Sequence, residues 1–149
     1  MTLKFKVIKP VALNPAVFKS AFMEAAKEMA EKVHEDFDEE IDFFRHEVPF
    51  EESVSESNQG VTVSVMTADL GFKYYDMGNG GPNRIIRPVR ARALHWIDKD
   101  TGEDVFRKSV HGYDGRHAVE KIEKMWAEKA PVLFELAMSN AAKESGHAL

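Results

Sequence analysis

The stretch that decides the fold is Asn14–Phe44, NPAVFKSAFMEAAKEMAEKVHEDFDEEIDFF. Phe18, Phe22, Ala25, Met29, Val33, Phe37, Ile41 and Phe44 recur at steps of three or four, which lays one apolar stripe along a helix. Asn14 is a favourable N-cap and Pro15 suits the first helical position, where its missing N–H costs nothing. The acidic run Glu35–Asp42 falls mostly on the opposite face. The spacing predicts one long helix from about Pro15 to the low forties, ending before Pro49.

On its N-terminal side, LKFKVI (Leu3–Ile8) alternates apolar residues with lysine, the period of a half-buried or edge strand, and Pro10 ends it. On its C-terminal side, VPFEESVSESNQG (Val48–Gly60) is polar and reads as a loop with an extended lead-in at Val48–Phe50. VTVSVMTA (Val61–Ala68) places Val61, Val63 and Val65 on one face of a strand. GFKYYDMG (Gly71–Gly78) reads as a second strand, hairpinned to the first, with Phe72 and Tyr74 on one face and Tyr75 on the other. Met77–Asn83 is a flexible glycine loop. RARALHWI and DVFRKSV are two further strands joined by the Asp/Gly turn DKDTGE, with His95 and Trp96 alternating across the first, one inward and one outward. The last helix starts near Asp114, read as its N-cap, runs through Val119, Ile122, Met125 and Trp126, and is kinked or broken at Pro131 before resuming through Leu133, Leu136 and Ala137. The tail KESGHAL is expected to fray. The expected architecture is α+β: a long N-terminal helix and a C-terminal helix on an antiparallel sheet of about four or five strands. A length of 149 residues fits a single domain, 1–149.

Composition narrows the function. The chain is 44% hydrophobic and 30% charged, and no apolar run approaches the ~20 residues that span a bilayer. MTLKFKVIKPVALNP lacks the apolar core and cleavage site of a secretory signal. With no cysteine, disulfides, thiolate nucleophiles and cysteine-ligated zinc are excluded, as suits synthesis in a cytoplasm. The net charge of −5 is unevenly spread: residues 1–60 hold 13 acidic and 7 basic residues, whereas residues 84–116 hold 5 and 8. An acidic part and a basic island on one small protein suit complementary contacts with copies of itself or with neighbours.

The motifs that invite chemistry each have a plainer structural reading. GNGGPN lacks the Gly-Lys-Ser/Thr ending of a phosphate loop and precedes a strand, so it reads as a structural loop. HGYDGRH could offer His111, Asp114 and His117 to a metal, but the spacing matches no metal motif; the plainer reading has His111 ending a strand, Gly112 and Gly115 turning the chain and Asp114 capping a helix. No Gly-X-Ser-X-Gly elbow is present. Asp36 with Glu40, or Glu35 with Glu39, could pair as acid and base, yet a solvated helix face explains them as well, and His34 beside them reads as a helix-surface histidine. Tyr74 and Tyr75 could stack bases, but the chain is acidic overall and has no second aromatic RNA signature. That leaves the arginines. Arg90 and Arg92 are expected on one strand face, with Arg84 and Arg87 in the extended approach, a row able to meet carboxylates or to line a passage for polyanionic DNA.

The run YYDMGNGGPNRIIRPVRARALHWIDKDTGEDVFRKSVHGYDGRH, Tyr74–His117, resembles the neck or tail-completion proteins of long-tailed bacteriophages, also called head–tail joining proteins. The resemblance lies in an aromatic strand ending in a glycine loop (Tyr74, Tyr75, Gly78), then Ile86, Arg87 and Pro88. ARALHW follows in the place of a Lys/Arg-Ala-Leu-aromatic run, then VFRKSV and a His-Gly loop opening a helix. It spans roughly residues 70–125, and the preceding amphipathic helix is also similar. HGYDG stands where family loops usually read His-Pro-Gly, and GNGGPN where Gly-Thr is common; both are turns, where substitution is tolerated.

The resemblance implies a structural virion protein rather than an enzyme, without catalytic residues, metal or cofactor. It would be a ring-forming component, expected to be hexameric, that joins the head-side connector or head-closure protein to the tail terminator or tail tube. Made in the host cytoplasm and found in the virion, it would have no membrane partner and only transient contact with passing DNA. The expected interface or DNA-channel residues are Arg84, Arg87, Arg90, Arg92, Tyr74 and Tyr75, with the Met77–Asn83 loop ordering on assembly. Two alternatives of other classes stay open at this point: a small metal-dependent hydrolase built on His111, Asp114 and His117, and a single-stranded nucleic-acid-binding module using the tyrosines and arginines.

Overall fold

A computed structural model describes residues 1–8 and 15–144. The elements run β1 (Thr2–Ile8), α1 (Pro15–Glu40), β2 (Glu51–Ser57), β3 (Gly60–Met66), α2 (Leu70–Met77), β4 (Ile85–Ile86), β5 (Leu94–Ile97), β6 (Asp104–Arg107), β7 (Val110–His111) and α3 (Ala118–Glu144). The fold is α+β, with long helices near both ends and antiparallel strands between, but the strands divide into three small sheets, β1-β3-β2, β4-β7 and β5-β6. The expected roles of Pro10 and Asn14 and the fraying of residues 145–149 lie outside the described residues. The chain forms two compact units: Met1–Asp69 with Ala118–Leu149, and Leu70–His117.

In the first unit, the helix expected from the apolar stripe is present as α1. Phe22, Ala25, Met29, Val33 and Phe37 are buried along it, and Ile41 is buried just past its end. α1 lies against β2 and β3 on one side and α3 on the other. The two helices are antiparallel: Phe22 meets Phe134 with ring centroids 5.2 Å apart, while Asp36, further along α1, meets Trp126, earlier on α3. β3 is central, which is why Val61, Val63 and Val65 are almost fully buried. Its register pairs Leu3, Phe5 and Val7 of β1 with Val65, Val63 and Val61, and sets Glu52, Val54 and Glu56 of β2 against the same three valines.

β2 corrects the expectation of a loop. EESVSES carries one apolar residue, too few for a strand period, yet its backbone pairs along the whole of β3. The two core-facing glutamates hold it to α1. Glu52 bonds His34 Nδ1 at 2.5 Å, and Glu56 lies 3.4 Å from Lys19 Nζ. His34 also packs edge-on against Phe50, which stacks on Phe37. The hairpin partner of β3 is therefore the preceding segment, not the following one; Asn58 and Gln59 make its two-residue turn, where the Ser57 hydroxyl accepts the Gln59 N–H.

α3 begins at Ala118 rather than near Asp114, and it continues through Pro131 without a break. Proline removes the bond to the carbonyl of Ala127. Both residues are exposed, and a solvent-facing carbonyl is open to hydration, so the helix tolerates the loss.

In the second unit, Leu70–Met77 is a helix, not the expected strand. Burial falls on Phe72, Tyr75 and Asp76, a helical spacing, so Phe72 faces Tyr75 (centroids 6.4 Å) and Tyr74 points to solvent. The helix was hidden because its aromatics favour strands by propensity, while the signals at its ends are conformational. Thr67 Oγ1 accepts the Asp69 N–H just before it, and Gly78, at φ +74°, closes it by donating its N–H to the Tyr74 carbonyl at 2.8 Å. The β5–β6 hairpin forms as expected around DKDTGE. The Asp98 carboxylate accepts the N–H groups of Asp100 and Thr101, both at 2.9 Å, and these backbone bonds, that of Thr101 foremost, hold its pKa below the usual carboxylate value.

Candidate interaction surface

Short β4–β7 pairing, Ile85 with His111 and Ile86 with Val110, brings the glycine loop 78–84 against the HGYDG segment. The two interlock through backbone bonds: Asn79 and Gly81 both donate to the Tyr113 carbonyl, Gly112 donates to Arg84, and the Asn79 side chain accepts the Tyr113 N–H at 2.7 Å. Three glycines make this approach possible. A Cβ on Gly78 would lie 2.5 Å from the Gly115 nitrogen, one on Gly112 would strike the Gly81 carbonyl oxygen, and one on Gly115 would strike the Asp76 carbonyl oxygen. The glycine loop, expected to order only on assembly, is a hydrogen-bonded structure within the single chain.

The expected site residues divide accordingly. Arg84 is exposed but occupied: its guanidinium donates to the Asn79 carbonyl at 2.7 Å, bracing the loop. Arg87, Arg90 and Arg92 are exposed and, among the described residues, have neither ion-pair nor hydrogen-bond partners. Arg90 and Arg92 do not share a strand face, because the chain bends from Val89 to Ala93 and β5 starts only at Leu94. Tyr74 is exposed and Tyr75 is half-buried against Phe72. His111 ends β7 with its Nδ1 3.1 Å from the Pro82 carbonyl oxygen. Asp114 does not cap α3; it forms an isolated bridge with Gly78, and His117, at φ +54°, is the residue that precedes the helix. Among the described residues, no group of three or more His, Asp or Glu side chains converges as a metal site.

Sequence reasoning missed the apolar part of this surface. Of the twelve large hydrophobic residues exposed among the described residues, nine lie between Leu70 and His117, including Met77, Val89, Trp96, Ile97 and Phe106. Val89 is 95% exposed, between Pro88 and Arg90. The β5–β6 hairpin carries apolar side chains on both faces, one of them shared with the His95–Asp104 pair at 2.6 Å. His95 stacks on Phe106 at 4.6 Å beside Ile97, and Trp96 sits across from Val105 on the other side. His95 and Trp96 do alternate, but neither is buried. Both edges of this two-stranded sheet are unpaired among the described residues. The signal available in the sequence was the double-sided pattern LHWI/DVFR, where a half-buried hairpin would be polar on one face.

The first unit carries a separate groove between α1 and α3. Trp126, 3% exposed, donates its indole N–H to Asp36 Oδ2 at 2.7 Å at the groove's base, and Lys129 lies over its ring at 5.4 Å. Val132, Leu133 and Leu136 form the α3 side, and Lys32, Glu35 and Glu39 the α1 side, around about 430 Å³. Val132 and Leu136 are exposed, one turn apart, off the buried line Ile122–Trp126–Ala130–Phe134. No described helix is long and apolar enough to cross a membrane. The chain matches no protein-family model, no curated protein and no solved structure.

Proposed function

We propose that this protein is a structural component of the neck of a long-tailed bacteriophage, a ring-forming joint between the head-side connector and the tail. The reading is supported by the ordered resemblance across residues 70–125 and, above all, by one observation: the unit Leu70–His117 presents most of the exposed large apolar side chains together with unpaired Arg87, Arg90 and Arg92. Exposed large apolar side chains concentrated in a small unit favour a partner that covers them, and enrichment in aromatics and arginine is the composition of interface centres. A hairpin with two free edges and apolar side chains on both faces suits insertion between neighbours, where either edge can extend a partner's sheet. On this reading the arginines contact acidic neighbours or face the DNA passage, and function resides in interfaces.

The test is assembly. Electron microscopy of particles made without the protein should show filled heads and finished tails accumulating separately. Arg87→Glu with Arg90→Glu should block joining while the isolated protein keeps its wild-type circular dichroism. Virions that assemble normally in both cases would sink the proposal.

A further inference from the structure

We propose that the Arg87–Arg92 segment of one copy seats in the α1–α3 groove of the next, forming the head-to-tail contact by which the protein associates with itself. The groove about Trp126 continues, over the shared Leu133 and Leu136, into a second depression of about 280 Å³ that is flanked by Glu24, Glu28 and Glu144. An apolar floor with exposed Val132 and Leu136 therefore runs along a rim on which Glu24, Glu28, Glu35, Glu39 and Glu144 outnumber the two lysines, Lys32, which pairs with Glu28, and Lys129, which lies over Trp126. Glu24 and Glu39 have no ion-pair partner among the described residues, and Glu35 acts on Lys32 only through longer-range attraction.

The segment RPVRAR is the groove's chemical complement. It presents three arginines without partners and, among them, a valine that is 95% exposed. Pro88 disfavours helical backbone at Arg87 and the chain bends from Val89 onward, so the segment is presented as irregular chain rather than as a helix. Seating Val89 over Val132 and Leu136 buries apolar surface on both sides, and the flanking arginines then meet the glutamates of the rim. The two surfaces are different patches of the same chain, so the contact is heterologous and propagates from copy to copy until a ring closes. The neck reading is needed only for that closure; the pairwise contact stands on the two surfaces themselves.

The chain has no cysteine, so cross-linking has no native background. Val89→Cys and Leu136→Cys, as two separate full-length variants mixed in equal amounts under mild oxidation at low salt, should give the mixed disulfide dimer well beyond the twofold excess over either homodimer that random pairing gives. Glu35→Lys with Glu39→Lys in the Leu136→Cys chain should cut that yield by about tenfold, as expected when complementary charges become repulsive. Adding Arg87→Glu with Arg90→Glu to the Val89→Cys chain should restore it, because each reversed surface again meets its opposite. A mixed dimer no more than about twice as abundant as either homodimer, the proportion that random pairing gives, as when the groove receives a different protein, overturns the proposal. So does a yield indifferent to the reversals. Cross-linking as expected, in a protein whose loss leaves head–tail joining intact, would refute the neck reading and leave the contact standing; failed cross-linking with blocked joining would do the reverse.

Discussion

The bond between Trp126 and Asp36 ties α1 to α3, and its loss is measurable. Trp126→Phe removes an indole N–H that sits 2.7 Å from Asp36 Oδ2 on a side chain only 3% exposed. A hydrogen bond to a charged acceptor is worth about 1.5–3 kcal/mol, and the acceptor left behind is half-buried, so little water replaces the donor. The smaller ring also leaves a void beside Ala130 and the groove, adding about 1 kcal/mol. The sum is about 2.5–4 kcal/mol, and at the ~2–4 °C per kcal/mol usual for chains of this length the melting temperature should fall by about 5–15 °C. Packing and hydrogen bonding are separated by a double-mutant cycle. Asp36→Ala is measured in the wild-type and in the Trp126→Phe background by urea unfolding followed at 222 nm, a signal dominated by α1 and α3. The two changes should couple by about 1–2 kcal/mol. Coupling within about 0.3 kcal/mol of zero, the ordinary limit of additivity, would refute the bond's role and leave packing alone to account for the helix pair.

Two further outcomes concern the second unit. Gly115→Ala drives a Cβ into backbone atoms of Asp76 and Met77 that cannot rotate away, so it should cost about 1–3 kcal/mol or more and strip hydrogen-exchange protection from the Asn79, Gly81 and Gly112 amides. Gly102→Ala, at φ +73° but facing open space, should cost only about 1 kcal/mol of backbone strain; equal effects of the two substitutions would contradict the interlocked loops. Asp98 has its pKa lowered in the folded hairpin, so its stabilising contribution is present above the ordinary carboxylate value and is lost as pH falls through the folded one. The Thr101 and Asp100 amide shifts should titrate with a midpoint below that of an ordinary aspartate and stop titrating in Asp98→Ala; a midpoint at or above the ordinary value would refute the turn geometry.

What the sequence determined by itself is the part of the fold governed by local periodicity. The stripe from Phe22 to Ile41 requires a helix with one buried face, alternation in LKFKVI and VTVSV requires strands, and Asp98 with Gly102 defines a tight hairpin; all are present. Each involves residues close in the chain, whose spacing maps directly onto a face. Where the deciding partner is distant, local pattern carried too little. EESVSES became a strand because β3 offered a full ladder and His34 and Lys19 met its glutamates. GFKYYDM became a helix because burial chose Phe72, Tyr75 and Asp76 over the alternation of its aromatics.

The candidate surface divides along the same line. The arginine cluster and its contrast with the acidic first sixty residues stand in the sequence as composition. Tertiary structure alone decided which arginines are free. It committed Arg84 to the Asn79 carbonyl, left Arg87, Arg90 and Arg92 in solvent, exposed Val89 between them, and turned Val132 and Leu136 outward beside Trp126. Exposure depends on what the rest of the chain covers once the helices and sheets have packed, and no spacing of residues along a single segment encodes that.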